Sequence, residues 1–468
     1  MNPSIFRAYD IRGVYGKDFS DADFERTGNA FSRFARHIMI VGRDARLSSP
    51  NLKAAVIRGV AAAGIDVMDV GMTPRGATMF WGFKSRLPSL YVSASHLPPE
   101  WNGLKFSYSD GTSFSEKDSA AIKAAVLSGA ERRAEVPAMV EQTPVLNEYR
   151  KFLKEKIPVM DKGMRVLLDC GNGTAGLAAP ESFGEHGCEV GTLFVEPDGN
   201  FPNRQSEIKP HTLSEAMKRS AEHDITIAFD GDADRMALVD NRGRFISPEV
   251  TAYLIMTELL KHQKGPITAN TECSRVIDKA AEQFGRKVVR TPVGYTFVVN
   301  GLHKSKSCFG LERSMHFIIP SVMPIDDGII AGLYATLALS RMDSTLADFV
   351  DGAPKLVSES RAFELPSDDA KFAVMAGLKA ELMKRSKQAS TMDGVRLDFD
   401  TGWVLVRASN TSPVIRLTVE GESLSDFKAL MGEYEWLVKE RVEKAGGKPE
   451  GPPSVAASGG KAGGRPEA

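Results

Sequence analysis

No run of about 20 apolar residues occurs in the chain, so no segment reads as a membrane-spanning helix. Neither sign of charge prevails. The 59 Lys and Arg residues stand against 60 Asp and Glu, a net charge of −1. That balance excludes a global field for nucleic acid or anionic membranes, so any polyanion site must be local. Cysteine is scarce: Cys170, Cys188, Cys273 and Cys308 are scattered without metal-ligand spacing. A disulfide-stapled scaffold and a zinc site are therefore not expected, and the thiols read as reduced and cytoplasmic. The opening "MNPSIFRAYD" lacks the basic-then-apolar pattern of a signal peptide. A Gly-x-Ser-x-Gly turn, which would present a hydrolase nucleophile, is missing around the one serine that invites the comparison, Ser95 in "VSASHLPPEWNGLKF" (92–106).

What is present is a soluble-type composition, 42% apolar and 25% charged, over 468 residues. That length predicts about three or four domains. Apolar runs ending in Gly or Asp, "HIMIVGRD" (37–44), "MRVLLDCGNG" (164–173) and "DITIAFDGDAD" (224–234), read as buried strands feeding polar loops. Helical patterns lie between them. In 48–64, Ser49 is the expected N-cap, Pro50 the first helical residue and Gly64 the stop. In 211–223, Leu213, Met217 and Ala221 repeat at helical spacing. Strands alternating with helices predict α/β layers with ligands at loops beyond the strand ends. The pattern then changes. Short strands over 395–421 precede an amphipathic helix with Leu424, Phe427, Met431, Tyr434 and Val438 on one stripe, which predicts a separate α+β domain. The tail after Gly446, rich in Gly, Pro, Ala and Ser, is expected to be disordered because it cannot bury enough apolar surface.

Four loops carry chemistry. "DGDADR" (230–235) places three carboxylates at alternate positions between two apolar runs. Their mutual repulsion calls for a hard divalent cation, and oxygen-only ligands suit Mg²⁺. A calcium EF-hand would need Gly at its sixth position and Glu at its twelfth, where this chain has Arg235 and Asn241. A solvated acidic turn is the plain alternative. "RASNTSPVIR" (407–416) gathers Arg407, Ser409, Asn410 and Thr411 into a donor array that suits a phosphate dianion, although Asn and Ser also simply favour turns. "GLERSMH" (310–316) sets Glu312 beside Ser314, a pair able to grip two vicinal hydroxyls. His316 reads equally as an acid–base group or a structural histidine. In the fourth loop, Ser95 follows an expected strand over 90–94 with no nearby histidine–carboxylate pair to activate it. The side chain of adjacent His96 should diverge from that of Ser95, so His96 is read as positioning the loop. A phosphorylated Ser95 would complete the oxygen ligands of Mg²⁺, with Lys105 stabilising the transferring group or shuttling a proton.

These four loops, in this order, resemble those of the α-D-phosphohexomutase superfamily, in particular its phosphomannomutase/phosphoglucomutase branch. The likeness runs from "FRAYDIRG" (6–13) to "RASNTSP" and includes "EPDGNFPN" (196–203) and "RTPVG" (290–294). It implies three similar α/β domains with mixed sheets plus a C-terminal α+β, TATA-binding-protein-like domain, arranged around a central cleft. The expected divisions are 1–141, 142–244, 245–356 and 357–446, with a tail over 447–468. By the family pattern Ser95 carries a phosphoryl group and, with Asp230, Asp232 and Asp234, holds Mg²⁺. Lys105, Arg235 and His316 serve proton transfer and charge stabilisation. Tyr9, Arg12, Glu312, Ser314, Arg407, Ser409, Asn410 and Thr411 bind substrate. The implied reaction interconverts hexose 1-phosphate and hexose 6-phosphate, of mannose or glucose, through a hexose 1,6-bisphosphate that also acts as activator. The implied partners are small hexose phosphates, with no nucleic acid and no membrane, and the implied state is a monomer or weak homodimer. The chain departs from the common pattern at Leu97, Leu311, Met315 and Ser412. The Ser409–Asn410 pair favours the glucose/mannose branch over phosphoglucosamine mutase. A sugar phosphatase or a non-catalytic sugar-phosphate-binding protein are the more distant alternatives.

Overall fold

The structure is a computed structural model that describes residues 2–6, 10–112, 114–136, 138–386, 388–409 and 412–449. The chain forms two compact units, Met1–Leu356 and Val357–Ala468. Three mixed sheets build the first unit, and they share one plan. In each, a first strand is flanked by a second and a third, both parallel to it, and a fourth strand pairs antiparallel with the third. The four strands are Ile38–Arg43, Asp66–Met72, Ser89–Val92 and Trp101–Ser107 in the first sheet. In the second they are Met164–Asp169, Cys188–Leu193, Ile225–Phe229 and Met236–Val239. In the third they are Ile267–Asn270, Val288–Thr291, Phe309–Leu311 and Phe317–Ile319. Helical crossovers make the parallel connections, as parallel strands require. A hairpin makes the last connection. Ser95, the Asp230–Asp234 cluster and Glu312 each lie in that third-to-fourth hairpin of their own sheet.

The helix Gly328–Ser340 is buried at every position, and its apolar sequence on all sides fits a helix enclosed by protein. Its core includes Phe80, Tyr149, Phe183, Phe229 and Leu333, and it draws on strands of all three sheets. The second unit has its own core. An antiparallel sheet, with Val357–Glu364 paired to Val414–Gly421 and the latter to Gly402–Ala408, is packed by the helices Asp368–Leu382 and Leu424–Lys444.

Local details correct four expectations. Helix Ser49–Ala62 has Ser48, not Ser49, at its N-cap position, and Pro50 is its second residue. The Ser49 hydroxyl is drawn inward, donating to Asp44 Oδ1 at 2.6 Å and accepting from Asn102 Nδ2 at 2.9 Å. Residues 211–223 do not form one helix. A 3₁₀ turn at Pro210–Thr212 and another at Ser220–Glu222 flank the short helix Ser214–Arg219, and Thr212 turns its hydroxyl back onto the Glu207 and Lys209 carbonyls. On the last helix, Met431, Tyr434 and Val438 are buried as expected, but Leu424 is exposed and the stripe continues through Leu430, Leu437 and Val442. Of the expected disordered tail, Lys448–Pro449 pairs with Glu364 and Phe363, and 450–468 lie outside the described residues.

Candidate active site

The serine hairpin and the aspartate hairpin meet side by side. Ser95 is fully buried with φ +53°, and its Oγ donates to Asp230 Oδ2 at 2.7 Å. A left-handed non-glycine residue costs energy and persists only where its surroundings impose it. Here they do. The buried Arg46 guanidinium, paired with Asp44, donates to the carbonyls of Ser95 at 2.8 Å, Leu97 at 2.6 Å, Pro98 at 2.5 Å and Trp101 at 3.0 Å. The Ser95 backbone N–H donates to Ser93 Oγ, which donates to Asp232 Oδ2, both at 2.8 Å. The turned backbone also keeps His96 close. Its Nδ1 is 3.4 Å from Ser95 Oγ, so the expected divergence of the two side chains is not seen. Burial, with Arg235, Arg12 and Lys105 nearby, holds the His96 pKa well below the usual imidazole range.

Asp230, Asp232 and Asp234 are all buried, and one carboxylate oxygen from each lies within 4.8 Å of the others. Lys105 Nζ bridges Asp232 Oδ2 and Asp234 Oδ2, each at 2.7 Å. Burial and the two neighbouring carboxylates push the Asp230 carboxyl up, while burial is outweighed at Asp234 by Lys105 and other cations, which hold it low. Asp232 Oδ1 and Asp234 Oδ1 are buried without a hydrogen-bond partner. Buried polar atoms are normally paired, so orphaned oxygens on clustered carboxylates beside a serine hydroxyl fit a hard, oxygen-seeking cation such as Mg²⁺.

The sugar-type hairpin closes on the same cluster. Arg235 Nε donates to His316 Nε2 at 2.9 Å, and His316 Nδ1 sits 2.6 Å from Asp326 Oδ2, off the line of a straight hydrogen bond. Arg75, which sequence reasoning missed along with Arg46, Ser93 and Asp326, joins the hairpins from behind. Its Nη1 donates to Asp326 Oδ1 at 2.5 Å and lies 3.4 Å from Asp234 Oδ2, its backbone N–H donates to the Asp232 carbonyl, and its guanidinium lies over the Tyr295 ring. Asp234, His316 and Asp326 could by proximity hold an ion, but the Arg75 guanidinium already supplies their cation. No motif marks these residues in the sequence. A Thr-Pro turn before Arg75 and the acidic pair at 326–327 are the faint signals.

Glu312 is buried, and Ser314 Oγ donates to its Oε2 at 3.1 Å. Met315, in the departure from the common motif, adopts φ +71°. Arg12 pairs with Asp10 at 2.6 Å and feels the charges of Asp232 and Asp234. In the second unit, Arg407 and Ser409 are buried at the mouth of the hairpin between Gly402–Ala408 and Val414–Gly421. Lys371 Nζ braces that loop, donating to the carbonyls of Ser409 at 2.8 Å and Ser412 at 2.9 Å. Tyr9, Asn410 and Thr411 lie outside the described residues.

Three mixed α/β sheets presenting a serine, a carboxylate triad and their cationic neighbours on equivalent hairpins define an α/β phosphotransferase. Four family descriptions match consecutive stretches of the chain. They are Phosphoglucomutase/phosphomannomutase alpha/beta/alpha domain I over 3–133, domain II over 147–243, domain III over 247–356 and the C-terminal domain over 365–434. The chain belongs to the phosphoglucomutase/phosphomannomutase family of the α-D-phosphohexomutase superfamily, and it is an enzyme, an intramolecular phosphotransferase. It is 32% identical over 440 residues to Phosphomannomutase/phosphoglucomutase of Pseudomonas putida, covering 91% of this chain and 94% of that one. It is 33% identical over 447 residues to a Methanopyrus kandleri protein named "Probable phosphoglucosamine mutase", covering 94% and 98%. A phosphoglucomutase/phosphomannomutase family protein of Burkholderia thailandensis superposes with a TM-score of 0.88 at 27% identity, covering 95% of this chain and 99% of that one.

Proposed function

We propose that the protein reversibly interconverts hexose 1-phosphate and hexose 6-phosphate, of mannose or glucose, through a phosphorylated Ser95 and a hexose 1,6-bisphosphate. The observation that carries this reading is the 2.7 Å contact of a buried, strained serine hydroxyl with a carboxylate of a partly unpaired triad. In the first half-reaction a free sugar hydroxyl attacks phosphorus and the phosphorus–Oγ bond breaks. The net proton transfer runs from that hydroxyl to Ser95 Oγ. The bisphosphate then presents its other phosphate, and the same exchange in reverse restores phosphorylated Ser95. Lys105, Arg235 and His316 surround the reacting oxygen with charge and a proton path. Glu312 and Ser314 grip sugar hydroxyls, and Arg12 and Tyr9 belong to the substrate-binding set. Arg407, Ser409, Asn410 and Thr411 hold the phosphate that is not reacting. Asp230, Asp232, Asp234 and Ser95 would hold Mg²⁺, which when bound lowers the cost of charge on the serine oxygen. The division into domains at 141, 244 and 356 belongs to the same proposal. A phosphoglucosamine mutase is the second reading, favoured by the Methanopyrus relative.

The test is the intact mass of purified protein before and after glucose 1,6-bisphosphate and Mg²⁺, with Ser95→Ala in parallel. A phosphate-sized gain that disappears in Ser95→Ala is expected. No gain on folded, active protein would remove the phosphoserine step. Relative rates on mannose, glucose and glucosamine phosphates then separate the two mutase readings.

A further inference from the structure

Glu312 lies at the end of the strand Phe309–Leu311, next in register to Asn270 at the end of Ile267–Asn270. Its two carboxylate oxygens have different surroundings. Oε1 accepts from Asn270 Nδ2 at 3.1 Å and from the Gly294 backbone N–H at 3.0 Å. Oε2 accepts from Ser314 Oγ. The Asn270 amide has only one orientation consistent with its neighbours. Its Oδ1 accepts from the backbone N–H of Glu272 at 3.2 Å and of Cys273 at 3.1 Å, with Cys273 Sγ at 3.2 Å, so the NH₂ group must face Glu312. Arg290 fixes the Asn270 backbone in turn, its Nη1 donating to the carbonyls of Asn270 and Cys273, each at 3.0 Å. Gly294 reaches its place with φ +139°, where an L side chain would be strained.

We infer that Asn270, with the Gly294 N–H, is a positioning residue that fixes which oxygen of Glu312 meets the sugar. This rests on the proposed role of Glu312 as a sugar-hydroxyl grip. The two fixed donors occupy Oε1, which leaves Oε2, beside the Ser314 hydroxyl, as the oxygen free to receive substrate. Ordering this carboxylate in the fold, rather than when substrate arrives, keeps the ordering cost out of binding. It also gives the Arg290–Gly294 stretch a role in the site. Arg290 anchors Asn270 and Gly294 supplies the second donor, both acting through Glu312.

The experiment compares Asn270→Ala, Asn270→Asp and Glu312→Gln in the full chain, by steady-state kinetics on glucose 1-phosphate and by calorimetric binding of glucose 6-phosphate. Thermal melting serves as the folding control. Losing a hydrogen bond to a carboxylate is worth about tenfold in affinity. Asn270→Ala should therefore raise KM about 10-fold, with kcat moving less. Asn270→Asp is nearly isosteric and sets a second carboxylate against Glu312. Acidification lets that pair share a proton, so its KM should fall from about pH 8.5 to about pH 6, while that of Asn270→Ala stays level. The charged and titratable groups around the pair are Glu249, Glu272, Cys273, Arg290, Arg313 and His316. They are common to both variants, so the difference between variants reports the new pair. If Glu312→Gln raises KM but both Asn270 variants keep the wild-type value, the positioning role is wrong and the sugar grip stands. If Glu312→Gln changes neither KM nor binding, the sugar grip fails and the inference with it. Asn270 variants that lower kcat at unchanged KM would also overturn it. Should Asn270→Ala not fold, the pH response of KM in Asn270→Asp is read against that of wild type, and an equal response in the two overturns the inference.

Discussion

At the scale of single residues, the site is a set of buried charges held by a few matched partners. Removing Lys105 would leave Asp232 and Asp234 without their bridging ammonium. Lys105→Met should lower kcat by about 10²–10³-fold. It should also cost about 3–5 kcal/mol of stability in EDTA, because a buried charge is left uncompensated. Mg²⁺ should restore much of that loss, so melting curves with and without Mg²⁺ should diverge more for Lys105→Met than for wild type. Asp327 gives a pH prediction clear of the triad. Burial pushes its carboxyl up to about 6, against the hydrogen bonds from Tyr149 Oη and the backbone N–H groups of Ile330 and Ile329. A raised carboxyl pKa means that the folded state binds the extra proton between the unfolded value, near 4, and about 6. Wild-type stability therefore loses this contribution as pH rises through that window. Asp327→Asn can still cap the helix it begins, and its stability relative to wild type should rise by up to ~3 kcal/mol between about pH 4 and pH 7, as read by chemical denaturation. Residues of this kind were legible only where a motif carried them. Asp230, Asp232 and Asp234 announce themselves by spacing. Arg75 and Asp326 are single side chains 251 positions apart, marked locally by no more than a Thr-Pro turn and an acidic pair.

At the scale of elements, close backbone approach decides what can change. The helices Asp21–Phe31 and Ser49–Ala62 cross through glycine. A Cβ on Gly59 would lie 1.9 Å from the Glu25 carbonyl oxygen, and one on Gly28 would lie 2.3 Å from that of Val56. Backbone cannot yield as a flexible side chain can, so Gly59→Ala should destabilise by at least ~2 kcal/mol. In the helix Asp368–Leu382, a Cβ on Gly377 would meet nothing within 4 Å. Gly377→Ala should instead stabilise by about 0.5–1 kcal/mol, because it lowers the backbone entropy lost on folding. Thermal melting of the pair tests both signs. The periodicity of 48–64 was sufficient to place its helix, but not its cap. Ser48 and Ser49 are equivalent in the sequence, and only the buried Asp44 and Asn102 distinguish them. The helix expected over 211–223 broke for a related reason. Its apolar spacing was right for a helix, but Thr212 satisfies backbone carbonyls locally in a turn.

At the scale of the whole molecule, the second unit has its own sheet, helices and core, which predicts independent folding. A fragment spanning 357–449 should melt in one cooperative transition by circular dichroism. A fragment without a transition would show that its core depends on the first unit. The sequence by itself determined the chemistry of each loop, because local residue types at short spacing set which ligands are possible. It also determined the α/β alternation and the change to short strands near the C-terminus, since hydrophobic period is a local signal. Tertiary structure alone decided that the serine, aspartate and glutamate loops are one hairpin built three times. The sheets share connectivity and pairing order, and those are relations between distant strands that residue identity does not encode. It alone also brought Ser95 to Asp230, 135 positions away, and forced the serine backbone into the left-handed region. Four carbonyls reaching one buried guanidinium fix that conformation, and Arg46 meets them only once the chain has folded.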